Sequence, residues 1–372
     1  MTGVAGGNET HQVGSWRAGG REASRAEVGL LQGLVEIPSP TGQEETAGRW
    51  LVQQLQALGL EAGRDAVGNV VGVVEPLNGR ATPGDVYLLG HIDTVEGFWP
   101  VELREGTLSG RGASDAKGPL AAFVASAVRA RSTLRRRVLL LAAVGEEGDS
   151  RGARHLAHTL PPPDYLVVGE PSGAGRLVIG YRGRLRCSLE LGRPGLHSSR
   201  PEPTAAEDGL ALWSAVGEMV SGLNRGRTGF EAIDAHLLSI QTGSDGLQDS
   251  VRLGLGFRLP PWSAPGDLLE LVRGLAPQAR IEPGGLEAAV SVGRTGALPS
   301  AFSRAILAQG GRPVWQRRLA TSDLNVVHPI WSCPALVYGP GDSELDHTPR
   351  ESISLDDYSR AIEVLTQVLA AL

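Results

Sequence analysis

Cysteine is scarce in this chain of 372 residues, which contains only Cys187 and Cys333. Two cysteines so far apart, with no CxxC pair, argue against a disulfide framework and against a cysteine-ligated zinc site. The chain also lacks an apolar run near the roughly 18 residues that a membrane helix needs. Its N-terminus lacks the apolar core of a signal peptide. We therefore expect a soluble, cytoplasmic protein that does not associate with membranes.

A surplus of basic residues is missing as well. The sequence has 35 lysines and arginines against 41 acidic residues, a formal net charge of −6. This balance argues against a general affinity for nucleic acid. The glycine-rich stretch around Asp115 lacks the Gly-Lys-Ser/Thr of a phosphate-binding loop, and its carboxylate would repel phosphate. Nucleic acids and nucleotides are therefore not the expected ligands.

Glycine and proline, by contrast, are abundant, with 51 and 24 residues. They indicate many short, sharp loops, as in α/β enzymes. The length of the chain favours two domains. Residues 1–22 are polar and unpatterned and are predicted to form a flexible tail. We assign residues 23–180 and 294–372 to a catalytic domain and residues 181–293 to an inserted domain.

Four short apolar runs predict buried strands of one open α/β sheet, at 86–89, 138–144, 164–168 and 335–338. Each run is followed by glycine and then by histidine or carboxylate residues. These residues are His91, Asp115, Glu146, Glu147, Glu170 and His347. Open α/β sheets bind ligands at the carboxyl ends of their strands, so the six side chains are expected to converge on one edge. The alternative, in which acidic residues only cap helices, explains one strand better than four.

The middle third of the chain has a different pattern. From Tyr181 to Leu191 apolar residues alternate with arginines, which is typical of a half-exposed antiparallel strand. The following elements are predicted as a helix at 204–223, strands at 238–242 and 251–258, a helix at 266–275 and a strand at 287–292. This β-α-β-β-α-β order indicates a ferredoxin-like (α+β) domain.

Imidazole and carboxylate side chains together suit Zn²⁺ or a similar divalent ion. Glu146 and Glu147 are adjacent, so in an extended segment they point to opposite sides. One of the two can bind a metal ion while the other acts as general base. Two metal ions that share a carboxylate would polarise a carbonyl group and activate water near neutral pH. This layout is typical of a hydrolase for amides or esters.

Five spaced motifs together resemble the M20 family of metallopeptidases and deacylases, which includes acetylornithine deacetylase and succinyl-diaminopimelate desuccinylase. The motifs are Gly90–Val95, Gly110–Gly118, the Glu146–Glu147 pair, Gly169–Pro171 and His347. The resemblance covers nearly everything after about residue 25. It implies a mixed-sheet metallohydrolase domain with an inserted lid and dimerisation domain.

The resemblance also implies a role for each residue of the predicted site. It assigns the metal ligands to two sets that share one carboxylate: His91, Asp115 and Glu170, and Asp115, Glu147 and His347. Glu146 would be the general base, and Asp93 would orient His91 from outside the ligand set. Such ligands accept zinc, cobalt and manganese alike, so the metal stays open, with zinc the first expectation and cobalt the second.

The inserted domain resembles the lid of the family. His197 matches the histidine that reaches toward the active site of the second subunit and steadies the oxyanion, so a homodimer formed through the lid is expected. Arg258 lies where family members place an arginine against a substrate carboxylate. Thr321, Ser322 and Gly341 are further expected contacts with the substrate.

Within the family, several details resemble in particular the hydrolases of lysine biosynthesis by the bacterial α-aminoadipate pathway. These details are Gly145–Gly148, Leu319–Asn325 and Gly339–Pro349. Such enzymes release lysine, or ornithine in the parallel route to arginine, from the γ-carboxyl of the C-terminal glutamate of an acidic amino-group carrier protein. The expected partner is such a carrier. A small-molecule N-acyl amino acid deacylase and a non-catalytic binding module on this fold remain as alternatives.

Arginines are locally dense although the chain is acidic overall. The clusters are Arg135–Arg137, then Arg182, Arg184 and Arg186, and finally Arg317–Arg318. Most charge runs are solvated faces, but an acidic carrier would need a positive surface that leads to the metal ions. Such a surface would act on the association rate more than on affinity. We expect all three clusters to contribute to it.

Overall fold

The computed structural model describes residues 22–77, 82–195 and 201–372 of the chain. A large mixed sheet and a smaller antiparallel sheet contain most of the strands. No helix in these described ranges is long and apolar enough to cross a membrane. The first part of the chain, up to Tyr181, forms most of the large sheet and the helices around it. Its elements are α1 (Arg25–Val35), α2 (Glu45–Ala57), β1 (Glu61–Arg64), β2 (Val70–Val74), β3 (Asp85–His91), β4 (Glu102–Arg104), β5 (Thr107–Ser109), α3 (Lys117–Ala130), β6 (Arg137–Ala143), α4 (Arg151–Thr159), β7 (Tyr165–Val168) and β8 (Arg176–Tyr181).

The smaller sheet follows, and the chain then returns to complete the large one. The smaller sheet and its helices are β9 (Gly183–Pro194), α5 (Ala205–Leu223), a 3₁₀ turn (Gly229–Glu231), β10 (Asp234–Ser244), β11 (Gln248–Leu259), α6 (Pro265–Leu275) and β12 (Arg280–Glu287). We call this part, from β9 to β12, the lid, and the rest the catalytic domain. The final elements are β13 (Val290–Ser291), α7 (Ala297–Ala308), β14 (Val314–Arg318), α8 (Asp323–Trp331), β15 (Ala335–Val337), β16 (Ser352–Ser354) and α9 (Leu355–Ala371).

The large sheet has the strand order β1-β2-β6-β3-β7-β15-β8-β13, with β14 paired to β8. Its central strands β6, β3, β7 and β15 run parallel to one another. Their residues are buried almost throughout, because helices cover both faces of the sheet. The predicted α/β class is therefore confirmed.

Helix α3 covers the centre of one face of this sheet. It consists mostly of small residues that are buried, so its backbone lies close to its neighbours. A Cβ on Gly118 would lie 2.3 Å from the carbonyl oxygen of Ala113, so only glycine fits at this point. Helices α1 and α9 pack against α3, and α4 and α8 cover the opposite face. This packing holds the loop before α3, which contains Asp115, at the edge of the sheet.

The carboxyl ends of the four central strands meet at one edge of the large sheet. His91 is the last residue of β3, Glu146 follows β6, and Glu170 follows β7. The parallel register places Leu89 beside both Leu141 and Val168, so the three strands end at the same level. The predicted convergence of strand ends is confirmed.

The lid sheet has the order β10-β11-β9-β12, and all its pairs are antiparallel. Helices α5 and α6 cover one face and bury the apolar side of the strands. Leu185, Cys187 and Leu189 lie in this core, as their alternation predicts. Strand β10 is an edge strand that is exposed over nearly its whole length, and no strand in the described ranges pairs with its outer edge.

The prediction of a last lid strand at 287–292 was wrong. The last lid strand is β12, and Val290–Ser291 instead pairs with β8 of the large sheet. Pro283 and the two glycines after it have the composition of a turn. They are accommodated because β12 is an edge strand, where proline is tolerated, and because the register shifts between Pro283 and Gly285.

The prediction that Arg182 shares an exposed face with Arg184 and Arg186 was also wrong, since Arg182 is 0% exposed. It is the single residue between β8 and β9, at the junction of the two domains. Its guanidinium donates to the carboxylate of Asp234 at 2.8 Å and to the carbonyl oxygen of Arg258 at 3.0 Å. A buried charge needs such partners. The alternation of exposed and buried residues applies only within one sheet. It therefore cannot predict the burial of Arg182, which lies between two sheets.

Candidate metal centre

Six of the predicted site residues lie together at the carboxyl edge of the large sheet. They come from the end of β3, the loop before α3 and the loops after β6, β7 and β15. The six are His91, Asp115, Glu146, Glu147, Glu170 and His347. The fold therefore assembles one cluster from five separate segments of the chain.

Asp115 lies between the two histidines of the cluster. Its Oδ1 is 3.1 Å from Nε2 of His91, and its Oδ2 is 3.1 Å from Nε2 of His347. Oε1 of Glu147 is 2.8 Å from the same nitrogen of His347. The ligand atoms of His91, Asp115 and Glu170 all lie within 4.8 Å of one another, as do those of Asp115, Glu147 and His347. The cluster thus contains two sets of three ligands that share Asp115.

Glu146 belongs to the same cluster but differs from Glu147 in its contacts. Its carboxyl group lies in a third set of close ligand atoms, with His91 and Glu147. Glu147 hydrogen-bonds His347, whereas Glu146 makes no side-chain hydrogen bond to the described residues. A carboxyl group that is close to the cluster and free of such a contact is suited to accept a proton.

Asp93 connects His91 to the two glutamates and is fully buried, with 0% exposure. Its carboxylate accepts hydrogen bonds from the backbone N–H groups of Glu146 and Glu147, at 3.0 and 3.1 Å. The hydroxyl of Thr41 donates to the same carboxylate at 2.8 Å. Nδ1 of His91 is 3.0 Å from the carbonyl oxygen of Asp93 and 3.6 Å from its carboxylate. The carbonyl oxygen, rather than the carboxylate, therefore hydrogen-bonds the imidazole.

Glu351 holds the loop of Asp115 in place, and the sequence did not reveal it. Its buried carboxylate accepts hydrogen bonds from the backbone N–H groups of Ser114 and Asp115, at 3.1 and 3.0 Å. Arg111 donates to its second oxygen at 2.7 Å. The sequence feature that could have pointed to Glu351 was its position four residues after His347, a predicted metal ligand.

The electrostatics of the cluster fit divalent cations. Burial raises the pKa of Glu146 well above its usual value, and burial together with the carboxylate of Glu146 raises the pKa of Glu170. Burial also opposes ionisation of Asp115, but hydrogen bonds with His347 and His91 hold its pKa below the usual range. Several buried carboxylates and two imidazoles in one place are hard oxygen and nitrogen donors whose charge a divalent cation would balance. The residues present therefore suit a pair of such ions.

A cavity of about 840 Å³ opens over the ligand cluster, between the catalytic domain and the lid. Five arginines line it together with the ligands: Arg184, Arg186, Arg258, Arg317 and Arg318. Thr321 also lines the cavity, and its hydroxyl accepts a hydrogen bond from Arg258 at 3.1 Å. The structure thus brings Arg258 and Thr321, two of the four expected substrate contacts, to the site.

The other expected contacts lie elsewhere. Ser322 is buried and caps α8, where its hydroxyl accepts a hydrogen bond from the backbone N–H of Leu324. The N–H of Gly341 donates to Asp357 at 2.8 Å, and Gly341 lines a different pocket, of about 330 Å³. Neither residue lines the cavity over the ligands. His197 lies outside the described residues.

The chain is also similar in sequence to known proteins. The profile of peptidase family M20/M25/M40 matches residues 87–371 of the chain. The chain belongs to this family. A protein of Deinococcus radiodurans named LysW-lysine hydrolase is 38% identical over 355 residues, which cover 92% of this chain and 96% of that protein. A protein of Sulfurisphaera tokodaii named LysW-lysine/LysW-ornithine hydrolase is 28% identical and covers 93% of this chain and 97% of its own length.

The fold is also similar to that of solved M20 structures. The YXEP protein of Bacillus subtilis, described as a dinuclear metal binding peptidase from the M20 family, has a TM-score of 0.70 at 15% identity. The similarity covers 93% of this chain and 97% of that chain. As a member of the M20 family, the chain is a metal-dependent hydrolase.

One arginine cluster was wrongly expected to lead to the metal centre of this M20 enzyme. Arg137 begins β6, whose other end reaches the site, so Arg135–Arg137 lies at the opposite edge of the sheet. Arg137 pairs with Asp85 at 2.7 Å, and Arg136 pairs with Asp164 at 3.3 Å. The sequence shows that these residues are charged, but the direction of the strand decides which edge they occupy.

Proposed function

We propose that this M20 hydrolase cleaves the amide that links lysine to the C-terminal glutamate of an acidic amino-group carrier protein. The observation that carries the proposal is the set of five arginines in the cavity over the ligand cluster. Such a lining suits an anionic substrate, although the chain has a net charge of −6. The name of the Deinococcus relative supports the same substrate class. Ornithine is the second candidate, supported by the name of the Sulfurisphaera relative.

For the metal ions we propose two sites that share Asp115. One consists of His91, Asp115 and Glu170, and the other of Asp115, Glu147 and His347. When bound, the two ions would polarise the amide carbonyl and lower the pKa of water. Zinc is our first proposal for both sites and cobalt our second, since this donor set accepts either.

Glu146 is the proposed general base. It accepts a proton from water as the water oxygen forms a bond to the amide carbon. It then donates that proton to the leaving nitrogen as the C–N bond breaks. The products are the γ-carboxylate of the carrier glutamate and the free amine of lysine. The hydrogen bond between Glu147 and His347 supports this division of roles, because Glu146 makes no such contact among the described residues.

The substrate class is tested by comparing hydrolysis of carrier-linked lysine with hydrolysis of N-acetyl-ornithine and N-succinyl-diaminopimelate. We expect kcat/KM for the carrier-linked substrate to exceed the other two by at least about 10²-fold, because unmatched polar groups in a site reject analogues strongly. Carrier-linked ornithine is compared in the same assay. A higher kcat/KM for either small substrate would instead identify the protein as a small-molecule deacylase.

We further propose that the carrier approaches along Arg186. This residue is exposed and lines both the cavity and an adjoining cleft of about 460 Å³. Arg151 and Arg154 line the same cleft, which lies between α4 and β12. Arg151 pairs with Glu44, and Arg154 and Arg184 both pair with Glu287. Among the described residues of this cleft, Arg186 is therefore the arginine that an acidic segment of the carrier would meet on its way to the cavity.

Activity on the carrier-linked substrate is expected to fall by roughly tenfold as salt rises from 0.1 to 1 M, because the Debye length shrinks from about 10 to about 3 Å. A small acyl-lysine should respond much less. Arg186→Glu should reproduce the selective loss at low salt, whereas the matched change Arg304→Glu, at an exposed position of α7 away from the cavity, should not. Equal salt sensitivity of the two substrates would contradict docking along Arg186.

A homodimer formed through the lid is also proposed. The open edge of β10 and its exposed Leu238 and Ile240 support it, because a second β10 could pair there. In such a dimer His197 would act in the site of the second subunit. The inactive variants His197→Ala and Glu146→Gln would then complement each other. Random mixing is expected to restore about one quarter of wild-type activity, since half the dimers are hybrids with one complete site each.

The mixing experiment needs proof that subunits exchange, for which native mass spectrometry of the mixture is suitable. Two separately prepared samples of His197→Ala, mixed in the same way, form the control. If hybrid dimers are present and activity does not return, His197 acts within its own subunit.

A further inference from the structure

The five arginines of the cavity differ in their partners. Arg184 pairs with Glu287 at 2.9 Å, and Arg317 pairs with Glu231 at 3.4 Å. These two charges are therefore already compensated within the protein.

The other three arginines, Arg186, Arg258 and Arg318, have no acidic partner within 4 Å among the described residues. Arg186 is exposed and lies toward the adjoining cleft. Arg258 and Arg318 are half-buried and come from different domains, Arg258 from β11 of the lid and Arg318 from β14. Burial and the nearby charges of Arg184 and Arg186 lower the pKa of Arg258. The cavity therefore holds two half-buried guanidinium groups that pair with no carboxylate in the described part of the chain.

Neutral groups hold the guanidinium of Arg318 beside the ligand-bearing loops. It donates to the hydroxyl of Ser343 and to the carbonyl oxygen of Pro171, the latter at 3.1 Å. Pro171 directly follows Glu170, and Ser343 precedes His347 by four residues. The charge of Arg318 is thus fixed in position near both metal-binding sets, and it remains available to an anion.

We infer that the cavity binds two carboxylates of its substrate at once, one at Arg258 and the other at Arg318. This inference rests on the proposed function. A γ-glutamyl amide of an amino acid has an α-carboxylate on each side of the scissile bond, one on the glutamate and one on the released amino acid. Arginine binds carboxylates through paired hydrogen bonds, so two separated guanidinium groups match two separated carboxylates. Arg318 is then a specificity-determining residue that separates γ-glutamyl amides from simple acyl amino acids.

Three small substrates test the inference. The first is N-acetyl-γ-glutamyl-lysine, which has both α-carboxylates. The second has the glutamate carboxylate replaced by a carboxamide, and the third has the lysine carboxylate replaced in the same way. Values of kcat/KM are measured for the wild type, Arg258→Gln and Arg318→Gln. Where cleavage is slow, inhibition constants against carrier-linked lysine give the same comparison.

Each arginine variant is expected to lose roughly 10–100-fold on the first substrate, the range for a hydrogen bond to a charged group. On the substrate that lacks the carboxylate bound by Arg318, Arg318→Gln should reduce kcat/KM only slightly. Arg258→Gln should likewise have little effect on the substrate that lacks the other carboxylate. An equal loss for Arg318→Gln on all three substrates would overturn the inference. The inference would also be overturned if the loss of kcat/KM in both variants depended on the same substrate carboxylate.

Arg317→Gln is the matched control, because it removes the same charge from the neighbouring position of the same strand and cavity. Its effect should be equal on all three substrates, since its charge is compensated by Glu231. Metal content of each variant shows whether the loops at Pro171 and Ser343 stay intact. Preference of the wild type for N-acetyl-ornithine would refute the proposed function itself. If the wild type prefers γ-glutamyl-lysine but the effect of Arg318→Gln does not depend on either carboxylate, only the assignment of Arg318 is refuted.

Discussion

Replacing Glu146 by glutamine is expected to lower turnover by roughly 10²–10⁴-fold while the metal content stays unchanged. Glutamine keeps the shape of the side chain and the backbone hydrogen bond to Asp93, but it cannot accept the proton of water. Metal retention is expected because Glu147, rather than Glu146, contacts His347. Turnover is measured on carrier-linked lysine, and metal is measured per subunit by elemental analysis.

Glu147→Gln is the control for this experiment. It changes the adjacent carboxylate in the same way, and it should lower the metal content because Glu147 belongs to the set with Asp115 and His347. If Glu146→Gln loses metal and Glu147→Gln retains it, the two glutamates have the opposite roles.

Replacing Glu351 by glutamine is expected to lower the free energy of unfolding by about 3–5 kcal/mol, the cost of leaving one partner of a buried ion pair alone. Arg111, with only 9% of its side chain exposed, would lose its carboxylate partner. The amide could accept the backbone hydrogen bonds of Ser114 and Asp115, but its NH₂ group would face the guanidinium. We therefore expect weaker metal binding as well, because Asp115 is the shared ligand.

Urea unfolding followed by circular dichroism measures the first effect, and metal titration measures the second. The exposed Glu344 offers a control in the same loop region, since Glu344→Gln removes an equal charge outside the buried cluster. Equal stability of the two variants would show that Glu351 does not stabilise the loop of Asp115.

The cluster of proposed metal ligands was predictable from the sequence because each member follows a strand or precedes a helix in a recognisable pattern. His91, Glu147 and Glu170 lie shortly after apolar runs that indicate buried strands. Parallel strands bring their carboxyl ends to one edge, so the order of the chain was enough to place these side chains together. The resemblance to a family then separated the roles of adjacent residues such as Glu146 and Glu147.

Other features depend on contacts that no local pattern records. Glu351 is one carboxylate among many in the sequence, and only the fold shows that it is buried against Arg111. Arg182 continues the alternation of a strand, yet it lies between two sheets. The compensation of Arg184 by Glu287 joins residues from β9 and β12, and it distinguishes this arginine from Arg186 in the same cavity.

The chain passes from the catalytic domain into the lid and back at one place in the large sheet. The chain leaves the large sheet after Tyr181 and returns at Val290, and these two residues are paired neighbours in that sheet. The outgoing connection is the single residue Arg182, and the return connection is residues 288–289. Because both connections meet the large sheet side by side, the chain enters and leaves the lid without interrupting that sheet. The lid contributes Arg258 to the cavity, whereas the proposed metal ligands all lie in the catalytic domain.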